Sequence, residues 1–349
     1  MEVYKSIFKG DIMNLKKMEV ANFSCKSIIG DVELLDIFND YVYPAMLNQE
    51  VPGSRNSETL SYKFIDLNFI KLDKEILLFG RLVKNLNIKR QQILEGNSLV
   101  QSFNTMESAP SSFFVLILSN HKLLWVREVP RAPLLKDFKY AITKMLNYQR
   151  SELVNDYVSK NKQNLLFEKN KLEEIERKAY ALYPALDINV TQIGNQVKIA
   201  EKLARFNKIH NIKITALKRN NELGSDYSAF SKMLSDTQED MKAKDVVTEI
   251  RGDSKHPLNK DAVTRLVQAS ADGNYDYKIK GRDQNNNEIT ETSETLSLVT
   301  DVNFQEDDAI NATSMLGKFM SLTNKFYLLP KQHEILNAKL KNIENKYLR

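Results

Sequence analysis

A chain of 349 residues, 42% hydrophobic and 27% charged, has the material for two hydrophobic cores, which excludes global disorder. Fifty basic against 45 acidic residues leave a formal charge of +5, a mild excess that is compatible with a nucleic-acid partner and demands none. The single cysteine, Cys25, excludes an internal disulfide. The longest apolar run, FFVLIL, falls far short of the ~20 residues needed to cross a bilayer. With no basic leader ahead of an apolar run, the expectation is a cytoplasmic protein without membrane insertion. The abundance of Asn, Lys and Ile resembles the proteome bias of an AT-rich bacterium.

The first strand-like segments are MEVYKSIF and KMEVANFS, at residues 1–8 and 17–24. VELLDIFNDYVYPAML, residues 32–47, spaces its apolar residues as an amphipathic helix does, and Pro44 predicts a kink or an end there. A polar loop follows at 49–59. SYKFIDLNFIKL, EILLFGRLVKN, QQILEG and SLVQSFN then succeed one another through turns too short for crossover helices, which predicts a largely antiparallel sheet covered by helices.

Phe113 to Pro133 concentrates the only tryptophan, a histidine and an Arg-Glu pair, yet it reads as a hairpin. FFVLILS is a buried strand, SNHK the turn, and LLWVREV a returning strand with Trp125 and Arg127 on one face and Leu124, Val126 and Glu128 on the other. Pro130 and Pro133 stop the sheet before a helix from about 134 to 158, against which the hairpin is expected to pack. A second helix, 167–182, ends at Tyr183-Pro184.

Beyond it, LDINVTQI predicts a strand, QVKIAEKLARFNKI a helix, HNIKITALKR a strand and YSAFSKMLSDTQEDM a helix. DVVTEIRG is a strand, KDAVTRLVQASADG a helix closed by glycine, and residues 275–299 two or three strands around an Asn-rich turn. Two helices separated at Pro330 close the chain, the second with an apolar stripe of Ile335, Leu336, Leu340, Ile343 and Leu348 that docks on its own domain or on a second copy. The expected class is α+β: an N-terminal antiparallel-sheet and helix domain over 1–165, a helical connector over 166–185, and a mixed C-terminal domain with a helical tail over 186–349.

No phosphate loop, dinucleotide fingerprint, nucleophile elbow or HExxH helix is present, and the four histidines are scattered without cysteine neighbours. Two chemistries remain. Basic residues recur at helical spacing at Lys198, Lys202, Arg205 and Lys208, with Lys213, Lys218 and Arg219 on or beyond the next strand; together they predict a phosphate-facing patch without base specificity. A nucleic-acid binder of that kind fits bacterial defence or mobile-element biology.

The other chemistry is a Mg²⁺-dependent nuclease, built from Glu249 on one strand with Asp276 and Lys278 on another, the carboxylates binding the ion and the lysine countering charge. It requires those two strands to be neighbours. A solvated strand face produces the same Asp-x-Lys pattern, and outside the nuclease reading no cofactor is expected. A non-enzymatic protein-interaction or scaffold role, with a protein partner or homodimer, is the third reading; it calls for an exposed apolar patch at the C-terminal helix.

Overall fold

The computed structural model describes residues 14–28, 32–53, 60–89, 92–95, 98–101, 105–162, 169–217, 229–241, 243, 245–253, 255–271, 273–326 and 334–348. The chain folds as a mixed α/β protein in which an N-terminal antiparallel sheet flanked by helices is followed by a C-terminal α/β region with terminal helices.

In chain order, the first part contains β1 (Leu15–Ser27), a π-helical turn (Phe38–Val42), α1 (Tyr43–Asn48), β2 (Glu50–Pro52), β3 (Leu60–Leu72) and β4 (Glu75–Lys89). A small hairpin, β5 (Gln92–Glu95) and β6 (Ser98–Gln101), precedes β7 (Thr105–Ser108), β8 (Ser111–Ile117) and β9 (Lys122–Arg127). Then come α2 (Leu135–Lys162), α3 (Lys169–Leu182) and β10 (Leu186–Gln192). The amphipathic segment at 32–47 is thus broken into a π turn and a short helix, because Pro44 lacks an amide proton and is accommodated only in the first turn of α1.

The remaining elements are α4 (Gln196–Ala204), β11 (Lys208–Ala216), α5 (Ala229–Asp240), β12 (Val246–Arg251), α6 (Lys260–Ala269), β13 (Tyr275–Arg282), β14 (Glu288–Thr292), β15 (Val299–Asn303), α7 (Asp308–Phe326) and α8 (Glu334–Tyr347). The first segment of the sequence and Pro330 lie outside the described residues.

Nine strands form the large sheet, in the order β10-β1-β9-β8-β4-β3-β2, with β15 also on β1 and β7 also on β4; every pairing is antiparallel. The hairpin β8–β9 lies in its middle and is apolar on both faces. Phe114, Leu116, Leu123 and Trp125 face one core with Phe138, Ile142 and Met145 of α2, while Phe113, Val115, Leu124 and Val126 face another with Ala312, Met315 and Phe319 of α7. Trp125 is fully buried and meets the Phe138 ring edge-on at 5.5 Å. His121, in the connecting turn, is buried rather than solvated, because β1 runs alongside: the Phe23 amide donates to the His121 carbonyl at 2.8 Å. The C-terminal helix docks on its own chain, with Leu336, Leu340 and Ile343 buried in the α2-side core.

The long β1 organises the rest. Its Ala21–Ser27 half pairs with β10 and its Leu15–Glu19 half with β15, on the same edge. Where the two meet, the Ile193 amide donates to the Val20 carbonyl (2.9 Å) and the Leu298 amide to the Ile193 carbonyl (2.7 Å). Gly194 bridges Ser297 just beyond. The described residues between those positions form a second unit, entered and left at this junction. Thus β10, β15, α7 and α8, all within the segment assigned by sequence to a C-terminal domain, pack on the N-terminal sheet.

The inserted unit is a four-stranded antiparallel sheet, ordered β12-β11-β13-β14, with α4, α5 and α6 supplying its core. Asn195 caps α4 by accepting from the Val197 and Lys198 amides (3.0 Å each), and Asn259 caps α6 by accepting from Ala262 (2.9 Å). Ile212 and Ile214 of β11 and Tyr275, Tyr277 and Ile279 of β13 turn inward against Ile199 and Leu203 of α4 and Val263 and Val267 of α6. Gly281, which by sequence reads as a turn, lies inside β13; a Cβ there would strike the Lys208 carbonyl and the Phe206 ring, at the bulge between Ile209 and Asn211.

Candidate nucleic-acid interface

The outer face of the four-stranded sheet is open. Residues of β13 alternate strictly, with Tyr275, Tyr277, Ile279 and Gly281 buried and Asp276, Lys278 and Lys280 exposed. Cross-strand register extends that exposed face over the neighbours: Lys213 lies opposite Lys278, Thr215 opposite Asp276, and Asn211 opposite Lys280. On β12, Glu249 lies opposite Lys213 and Arg251 opposite Asn211; on β14, Thr290 lies opposite Lys280 and Glu288 opposite Arg282. Lys208, opposite Arg282, closes one end.

The acids on this face are engaged locally. Glu249 accepts from Arg251 Nη2 and Asn211 Nδ2, both at 2.6 Å, and these bonds hold its carboxyl down to about 2. Asp276 accepts from Ser293 Oγ at 2.6 Å. Among the described residues no salt bridge or side-chain hydrogen bond is made by Lys213, Lys278 or Lys280, although Lys213 lies across from Glu249 and helps to lower its pKa. Two like charges directly opposite each other, with a third two residues along, cost the isolated sheet stability.

The helix lysines belong elsewhere. Since α4 covers the inner face, Lys198 and Lys202 lie on the opposite side of the sheet from Lys213. The Lys198 ammonium donates to the Ser297 carbonyl at 3.4 Å, and Lys202 lies 3.8 Å from the Glu291 carboxylate, itself buried. Arg205 is exposed at the end of α4, and Lys208 opens β11. The basic set expected as one patch is therefore divided by the sheet, and Lys218 and Arg219 lie outside the described residues. Sequence periodicity places Asp276, Lys278 and Lys280 on one face; what it misses is the half-buried Arg282, which continues that row.

The nuclease arrangement does not assemble. Glu249 and Asp276 are on strands separated by β11, so roughly 9.5 Å of sheet lies between them, with Lys213 in the gap. Oxygens sharing a magnesium ion each lie about 2.1 Å from it. Among the described residues no group of three or more His, Cys, Asp or Glu side chains is placed to hold a metal ion.

Elsewhere, Arg81 of β4 gathers an ion cluster on the large sheet. Arg81 pairs with Asp308 through Nη1 at 2.5 Å and Nη2 at 2.6 Å, with Glu128 at 3.0 Å and with Asp66 at 3.3 Å, tying the first turn of α7 to the large sheet. A shallow hollow of about 390 Å³ lies along the exterior of α7, lined by Asp307, Ala309, Ile310, Thr313 and Ser314, without converging catalytic groups.

Comparison of the chain with protein-family models, curated proteins and solved structures finds no match. None of the described helices is long and apolar enough to cross a membrane.

Proposed function

We propose that this is a cytoplasmic nucleic-acid-binding protein that contacts phosphate backbone through the open face of its four-stranded sheet. The observation that carries this reading is the exposed Lys213–Lys278 pair with Lys280 beside it, none of them in a described salt bridge, with Glu249 across from Lys213 and itself bonded to Arg251 and Asn211. Residues two apart on a strand are about 6.7 Å apart, so Lys278 and Lys280 present successive cations along one line. Thr215, Thr290 and Asn211 add neutral donors to that face.

The side chains also favour one mode of contact. Binding of single strands uses aromatic rings as stacking platforms, and both tyrosines of β13 are buried, 2% exposed each. The open face offers ammonium, guanidinium, hydroxyl and amide groups, which suit phosphate and sugar contacts without base reading.

Fluorescence anisotropy with labelled duplex DNA and RNA over a salt series tests the reading. Each phosphate contact adds about 0.9 to the slope of log affinity against log salt on duplex DNA, so changing Lys213, Lys278 and Lys280 together to glutamine should lower the slope by about 2 to 3. Absence of binding at low salt, or affinity indifferent to the triple change, refutes it. Addition of Mg²⁺ should produce no cleavage; cleavage abolished by Asp276→Asn would reinstate the nuclease.

A further inference from the structure

The outer strand of the inserted sheet, β12, has an unusual edge. The Gly252 amide donates to the His210 carbonyl at 2.8 Å, which sets the phase of the ladder with β11. Thr248 and Ile250 therefore exchange backbone bonds with β11, and the N–H and C=O groups of Val247, Glu249 and Arg251 point outward. No described residue pairs with them. Exposed edges are ordinarily blunted by proline, by a bulge, by great brevity or by charged side chains, and of these β12 has only the last, Glu249 and Arg251, which pair with each other. This one is six residues long, unbulged, and exposes Val247 (51%) and Ile250 (40%).

We infer that β12 pairs antiparallel with β12 of a second copy of this chain, joining two four-stranded sheets into one of eight strands. The backbone restricts how that can happen. Only Val247, Glu249 and Arg251 have outward bonding groups, so each must oppose an odd-numbered residue of the partner strand. Directly opposed residues project to the same face. The open faces of both copies consequently lie on the same side of the joined sheet, and the two sets of lysines form one surface.

Charge then selects the register. With the twofold axis at Ile250, Glu249 faces Arg251 of the partner subunit, and the reciprocal pair forms as well. The register shifted to centre on Glu249 opposes two carboxylates. In the Ile250-centred arrangement the two isoleucines meet on the opposite face, covering the apolar side chain that the single chain leaves exposed. Such a dimer extends the proposed binding surface and adds avidity on a long polymer. It does not depend on that function, because pairing is a property of the protein alone.

The test uses full-length Ile250→Cys, oxidised without nucleic acid. Opposed residues of a non-hydrogen-bonded antiparallel pair have Cα atoms about 4.5 Å apart, within disulfide reach. A covalent dimer is expected from Ile250→Cys and not from Thr248→Cys, which would face Gly252 of the partner subunit. The native thiol does not interfere: Cys25 is buried, and burial pushes its pKa up. In sedimentation equilibrium, Arg251→Glu should weaken the dimer by about tenfold, and adding Glu249→Arg should restore it. A monomer at about 100 μM, equal cross-linking from both cysteine variants, or no rescue by the double charge swap would each overturn the inference. Cross-linking without nucleic-acid binding leaves the dimer and removes the proposed function; binding by a strict monomer does the reverse.

Discussion

In the nine-stranded sheet, β8 and β9 are apolar on both faces and enclosed by α2 and α7. In the four-stranded sheet, β11 and β13 are apolar on the face beneath α4 and α6 and charged on the other. The first pattern removes side chains from water twice over, which is how a central sheet earns its stability. The second leaves half its side chains free to meet another molecule. The concentration of Trp, His, Arg and Glu around Trp125 is consequently architectural, while the plainer stretch Tyr275–Arg282 carries the candidate interface.

This contrast is broken most severely by Trp125→Ala. Removing the buried ring should cost about 3–5 kcal/mol in reversible urea denaturation, while any binding of labelled duplex by the folded fraction should be unchanged. A loss under about 1 kcal/mol would show that the hairpin is not the centre of the fold. Next, Arg81→Met leaves the partly buried Glu128 and Asp308 carboxylates without their shared cation. About 2 kcal/mol should be lost, with α7 the first element to lose protection in hydrogen exchange.

Glu19 offers a smaller effect with a definite pH dependence. Burial pushes its carboxyl pKa up, against the opposing pull of Arg127 and a hydrogen bond from Gln192. A raised carboxyl pKa means that the folded state binds the proton more tightly than the unfolded state. The penalty of the charged form is therefore absent below the unfolded pKa, grows as pH rises through the folded pKa, and is full above it. Glu19→Gln should gain stability near pH 7 and nothing near pH 3, measured by denaturation at both. A gain that persists in acid would point to packing instead of charge.

The smallest stability effect belongs to the open face. Lys278→Ala should change folding stability by no more than about 0.5 kcal/mol, because it removes an exposed side chain and relieves repulsion from Lys213. Its signature is in binding, as a salt slope on duplex DNA lowered by about 0.9. A large stability loss without a binding change would reverse the roles assigned to the two sheets.

Local pattern was legible where a residue's neighbours in sequence decide its environment. The run FFVLIL, the spacing of Phe138, Ile142 and Met145 and the alternation of Tyr275 to Lys280 each mark their elements directly. Long-range pairing was not. Nothing in DVVTEIRG or YDYKIKGR states that β11 intervenes between them, and that intervention separates Glu249 from Asp276. Likewise, the lysines of α4 and of β11 are close in sequence, but helix-on-sheet packing sends them to opposite sides. The pairing of β10 and β15 along one edge of β1 depends on contacts more than 150 residues apart, as between Ala21 and Gln192, beyond any local periodicity.

The neck of the insertion has a mechanical consequence. The chain leaves the large sheet at Ile193 and returns at Leu298, both facing Val20 at the junction of the two ladders on β1. A load applied to the inserted unit falls mainly on that junction, with the Asn22–Asn274 hydrogen bond beside it as a second tie to β1. Pulled away from β1, the two ladders would peel outward from Val20 one bond at a time, whereas pulled along β1 a whole ladder resists together. Anchorage at this joint is therefore directional, firm along the strand and weak across it.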